Sequence, residues 1–99
     1  MNETTNPTAM VTGKYRREKD LTYRAFADAL GERVGNTTIS HASVINWEKG
    51  ITEPSTDFLL RCLVIRPVED WRHQYAIDCL CAKLPEVFER VNGSIRILI

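Results

Sequence analysis

Apolar residues recur along most of this chain at three- and four-residue spacing, the mark of helices that bury one stripe. Residues 2–9 lack that spacing: they are polar, carry Pro7 and several threonines, and predict a disordered N-terminal arm reaching to residue 11. Val11 and Tyr15 then stand four apart among Lys14, Arg16, Arg17 and Lys19, predicting a first helix over 11–19 with a basic exposed face. Asp20 suits a left-handed exit, and Thr22 is the expected cap of a second helix over 23–30. Its buried stripe is Phe26, Ala27 and Leu30, and the breaker cluster Gly35-Asn36-Thr37-Thr38 limits any extension to about Val34. Ser40 opens a third helix over 41–49, and Gly50 closes it. On that helix Val44 and Trp47 lie together, while His41, Ala42, Ile45, Asn46 and Lys49 fan across about 140° of the opposite side. Two faces with different tasks follow.

Pro54 and Ser55 punctuate the start of a fourth helix over 56–65, and Pro67 suits the first turn of a fifth over 67–83, with Glu69 and Asp70 near its positive end. Trp71, Tyr75, Ile77, Cys79, Leu80 and Cys81 cover more than one stripe, so the fifth helix packs on two sides or meets a partner. Residues 85–91 fit a short helix ended by Gly93, preferred over the first arm of a hairpin turning at Asn92-Gly93. Ile95, Ile97 and Ile99 alternate in the one good strand pattern, 94–99. A lone strand leaves its backbone groups unpaired, so it needs a partner. The same strand of a second copy is the expected one, ahead of an intramolecular hairpin and of an unpaired end. The resulting expectation is an all-α, five-helix fold with an extended C-terminal segment: an arm over 1–11, a helical core over 12–66, and a dimerisation segment over 67–99.

Composition narrows the chemistry. Ninety-nine residues make one domain, and 13 Lys plus Arg against 13 Asp plus Glu excludes a sequence-indifferent nucleic-acid coat. The apolar runs are too short to span a bilayer, and the N-terminus has neither the basic start nor the apolar stretch of a secretory signal, so a cytoplasmic setting is expected. Three cysteines are an odd number, and Cys79 and Cys81 point about 200° apart on a helix. Neither His41 nor His73 sits at zinc-ligand spacing from a cysteine, so no metal site is expected. No nucleophile elbow, Gly-rich phosphate loop or His-Glu-x-x-His occurs. Neither an enzyme nor a cofactor is expected.

Two short helices, a turn, and a helix with one buried and one mixed exposed face form a helix-turn-helix pattern. The residues Arg16, Leu21-Thr22, Phe26-Ala27, Leu30-Gly31, Ser40, Val44, Trp47-Glu48-Lys49-Gly50, Pro54-Ser55 and Leu59-Leu60 extend it. That series resembles the phage repressor and Cro-like, or XRE-like, helix-turn-helix family, over nearly half the chain. The resemblance implies a compact five-helix DNA-binding domain whose third helix enters the major groove, with the second lying across it.

Carried over by position, the base-reading candidates are His41, Ala42, Ile45 and Asn46. Asn46 suits adenine, His41 can donate to guanine, and Ala42 or Ile45 can pack on a thymine methyl. Phosphate candidates are Thr22, Tyr23, Thr38, Ser40, Ser43 and Lys49. The resemblance also implies that Arg16 pairs with Glu48 and ties the first helix to the third, while Trp47 is core. Trp71, Tyr75, Ile95, Ile97 and Ile99 are the candidate dimerisation residues. Three departures stand out: residues 32–39 lengthen the turn, Tyr23 replaces the family's usual Gln, and Ala42 with Ile45 makes the reading face more apolar. The expected function is a dimeric, sequence-specific regulator, a repressor, bound to an operator in double-stranded DNA. The alternative is a protein-interaction module of antitoxin or anti-repressor type on the same fold.

Overall fold

Local start and stop signals set most of the helices. In the computed structural model, which describes residues 6–35 and 38–98, the order is α1 (Pro7–Glu18), α2 (Tyr23–Gly31), α3 (His41–Lys49), α4 (Thr56–Cys62), α5 (Trp71–Lys83), β1 (Phe88–Val91) and β2 (Ser94–Ile97). Thr22, Ser40 and Ser55 cap α2, α3 and α4, each accepting from a backbone N–H three residues on, at 3.0–3.1 Å. Asp20 leaves α1 at φ 54, and Gly50 ends α3 at φ 76. Among the described residues no helix is long and apolar enough to cross a membrane.

The expected N-terminal arm is corrected within the described residues. α1 begins at Pro7, and Asn6 caps it by accepting from the Ala9 N–H at 2.9 Å. Thr8, Ala9 and Thr12 are buried. The Thr12 hydroxyl shares a 2.8 Å hydrogen bond with Tyr75 and donates to the Thr8 carbonyl at 3.0 Å. This face is small and polar, so it lacks the apolar spacing of a buried stripe, yet its hydroxyls are satisfied inside. Residues 1–5 of the arm lie outside the described residues.

The expected start of the fifth helix at Pro67 is also corrected. Asp70 caps α5, accepting from the Arg72 N–H at 2.9 Å, while Pro67 sits in the preceding turn, its carbonyl accepting from the Asp70 N–H at 3.0 Å. α4 likewise stops at Cys62, short of Ile65, although Ile65 is buried.

The short helix expected over 85–91 is replaced by a strand. β1 and β2 pair antiparallel, Phe88 with Ile97 through Val91 with Ser94, around Asn92-Gly93 at φ 52 and 79. Two consecutive positive φ values make the primed turn that matches strand twist. One edge of β2 is therefore paired by the chain's own β1. Phe88 drops into the core, and the Arg90 guanidinium donates to Asp78 at 2.6–2.8 Å and to the Gln74 side chain at 2.6 Å, which seats the hairpin on α5.

The two apolar sides of α5 are both filled from within the chain. Tyr75 meets Tyr15 and Phe26 edge-on, each with ring centroids 5.5 Å apart, and Trp71 lies 5.3 Å from Phe26. Ala76, Cys79 and Leu80 join Leu30, Val44, Leu59 and Cys62 in one continuous core. Tyr75, expected as a dimer contact, is fully enclosed, and Trp71 is half-buried against that core.

Candidate nucleic-acid interface

α3 is short, and its amphipathic division fixes its orientation. Val44 and Trp47 are buried, with Trp47 6.1 Å from Phe58 of α4 between ring centroids. Burying a large aromatic and a branched side chain on one side turns the opposite side outward. His41 and Ala42 are exposed there, with Ile45 and Asn46 half-buried beside them and Lys49 exposed at the last turn. The His41 and Asn46 side chains have no partner among the described residues, so their hydrogen-bonding groups are free for a ligand. The four sequence-predicted base-reading residues thus lie on one accessible helix face.

The phosphate candidates are more dispersed. Thr22 and Tyr23 stand at the start of α2, Thr38 in the turn before α3, and Ser40 and Ser43 in the first turn of α3, all but half-buried Ser43 exposed. The Thr22 oxygen accepts from the Ala25 N–H at 3.0 Å, and Ser40 Oγ and Ser43 Oγ lie 3.1 Å apart. Their hydroxyls cap helices, and a hydroxyl that accepts in a cap can still donate outward.

One guanidinium organises the pieces behind this face. Arg16 Nε donates to Glu48 Oε2, its Nη2 donates to Glu48 Oε1 at 3.2 Å, and its Nη1 donates to the Leu21 carbonyl at 3.1 Å. The same guanidinium lies 4.3 Å from the centroid of the Tyr23 ring. The Glu48 hydrogen bond raises the Arg16 pKa above its ordinary value, so the pair stays charged. α1, the start of α2 and α3 are held by one side chain, and Glu48, the only carboxylate of α3, is turned inward and neutralised.

The lengthened turn between α2 and α3 is anchored by residues that the sequence reading missed. Arg33 donates to Asp70 at 3.2 Å and to the Arg66 carbonyl at 2.8 Å. Arg72 donates to the Ala29 carbonyl at 2.6 Å, to Glu32 at 2.8 Å and to Asp70 at 3.1 Å. Val34 is buried in the same turn, and Ile39 packs on the core. A second missed anchor is Asn6, whose Nδ2 donates to the Gly50 carbonyl at 3.3 Å and so reaches the end of α3. The Asn6-Pro7 pair was the signal available for it, as a cap followed by a first-turn proline.

Other chemistry is sparse. Burial pushes the Cys62 and Cys79 thiols up to about 12, which leaves them as apolar packing. Among the described residues no group of three or more His, Cys, Asp or Glu side chains is placed to hold a metal ion. Of the candidate dimerisation residues, Ile95 is half-buried, Ile97 is 58% exposed, and Ile99 lies outside the described residues.

A family model described as helix-turn-helix matches residues 13–64. No curated protein and no solved structure matches the chain.

Proposed function

The chain belongs to the repressor and Cro-like, or XRE-like, helix-turn-helix family, and from that premise we propose that it is a dimeric, cytoplasmic, sequence-specific transcriptional repressor that places α3 in the major groove of an operator. One observation supports this reading most: the exposed face of α3 carries free His41 and Asn46 side chains, while two of the neighbouring carboxylates are occupied. Glu48 is held by Arg16 and Glu32 by Arg72. Pairing these two carboxylates lowers like-charge repulsion toward phosphates, while Asp28, exposed on α2 beside Thr38, has no ion pair among the described residues. Asn46 and His41 serve as the polar readers, Ala42 and Ile45 as apolar contacts, and Thr22, Tyr23, Thr38, Ser40, Ser43 and Lys49 as phosphate contacts. The role is one of binding, not catalysis.

Selection of bound duplexes from a random pool tests it. The wild-type protein is expected to enrich one consensus, and Asn46→Ala to lose preference at one base pair, about 1–3 kcal/mol of discrimination. Failure to enrich any sequence favours the second reading, a protein-interaction module. One observation favours that alternative: Ile51, 66% exposed just past α3, adds an exposed apolar side chain to those of Ala42 and Ile45.

A further inference from the structure

The outward face of α3 has a centre line and two shoulders. At about 100° per residue, the buried Val44 and Trp47 point one way, and the opposite direction passes through Ala42 and, about two turns on, Lys49. Ile45 and Asn46 flank that line by about 50° on either side, and as sequence neighbours they stand at nearly one height along the axis. Exposure follows the same division: Ala42 and Lys49 are exposed, while Ile45 and Asn46 are half-buried. With only a methyl group on the centre line, Ala42 lets the helix backbone approach a surface closely while both shoulders reach past it.

The shoulders differ in chemistry. The Asn46 main-chain carbonyl accepts from the Ile51 and Thr52 N–H groups at 3.0 and 3.4 Å. Its carboxamide has no partner among the described residues, which leaves an acceptor and two donors side by side. Ile45 offers only hydrocarbon. α3 carries no arginine, and its one carboxylate, Glu48, is held by Arg16, so the helix lacks the bidentate partner of guanine and a free acceptor for the cytosine amino group.

We propose that Ile45 and Asn46 together read a single A·T base pair, Asn46 on the adenine and Ile45 on the thymine methyl, with Ala42 seating the helix above it. The assignment rests on the DNA reading above and names the base pair that this part of the site takes. Across the major groove an A·T pair presents adenine N7 and N6 at one end and the thymine methyl at the other. The carboxamide donates to N7 and accepts from N6 while Ile45 covers the methyl. Reversed to T·A, the pair sets the methyl against the carboxamide and the polar adenine edge against Ile45, leaving buried polar groups without partners. A G·C pair sets guanine O6 against the carboxamide oxygen, acceptor against acceptor, and gives Ile45 no methyl.

Selection from a random duplex pool with the wild type, Ile45→Ala and Asn46→Ala locates the pair. Both variants are expected to relax the preference at the same A·T position of the wild-type consensus. Altered DNA then tests each half with unaltered protein, so the result does not depend on a variant keeping its fold. Uracil in place of that thymine is expected to weaken wild-type binding about fourfold, the ratio for one buried methyl-sized group. Replacing that adenine by 7-deazaadenine, which lacks the N7 acceptor, is expected to weaken it about tenfold. Ile45→Ala is expected to bind the thymine and uracil duplexes equally, and Asn46→Ala the adenine and 7-deazaadenine duplexes equally. Variants that relax different base pairs or a G·C pair, or a wild type indifferent to uracil or to 7-deazaadenine, overturn the assignment and leave the DNA reading standing. A wild type that enriches no consensus overturns the DNA reading, and this assignment with it.

Discussion

At the scale of single residues, Arg16 has the most to lose. Its guanidinium serves a carboxylate, a carbonyl and an aromatic ring at once, and the Arg16 and Glu48 side chains are only 18% and 11% exposed. Arg16→Ala leaves an ionised Glu48 largely cut off from water, and is expected to cost about 2–3 kcal/mol in urea unfolding at pH 7. Glu48→Gln keeps an acceptor and is expected to cost less. Arg16 stands here on the family pattern alone, because a basic residue on a basic helix face otherwise looks like any solvated charge. Asn6, Arg33 and Arg72 show the converse. Asn6 carries only the local cap signal of Asn6-Pro7, and for Arg33 and Arg72 the partners across the long turn lie 33–43 residues away in the chain.

At the scale of elements, α3 was legible to the residue and the hairpin was not. α3 carries a serine cap, two buried side chains at matching spacing and a terminal glycine, all within eleven positions. Residues 85–91 carry a proline start and apolar residues compatible with either period, so local preference leaves helix and strand close in energy. Seating Phe88 in the core and Arg90 on Asp78 decides for the strand. The turn then becomes the vulnerable point. Gly93 sits at φ +79 with open space where a Cβ would project, so the cost of Gly93→Ala is backbone strain alone, about 1 kcal/mol. Amide hydrogen exchange is expected to speed up across β1 and β2 in that variant while α3 keeps its protection.

At the scale of the whole molecule, zero net charge conceals a division. Residues 14–50 carry seven Lys or Arg against five Asp or Glu, and residues 51–99 carry six against seven. The ion pairs that cross this division also make stability depend on pH. Burial works to raise the Asp70 pKa, but hydrogen bonds from Arg72 and the charges of Arg72 and Arg33 outweigh it and hold the carboxyl below its ordinary value. A carboxylate depressed in the folded state stabilises fully above the unfolded value, about 3.9, and loses that contribution as pH falls through the lower folded one. Urea midpoints are expected to fall below about pH 4 in the wild type, with a weaker acid dependence in Asp70→Asn. By itself the sequence determined what acts within a turn or two: the caps at Thr22, Ser40 and Ser55, the left-handed exits at Asp20 and Gly50, and the two faces of α3. Only the tertiary structure decided where α1 and α5 begin, that β2 pairs with β1, what covers the second face of α5, and how the long turn is anchored. Each of these depends on burial or ion pairing between distant segments. Burying one large side chain is worth about 1.5–3 kcal/mol, more than the local preferences of about 1 kcal/mol or less that periodicity and propensity record.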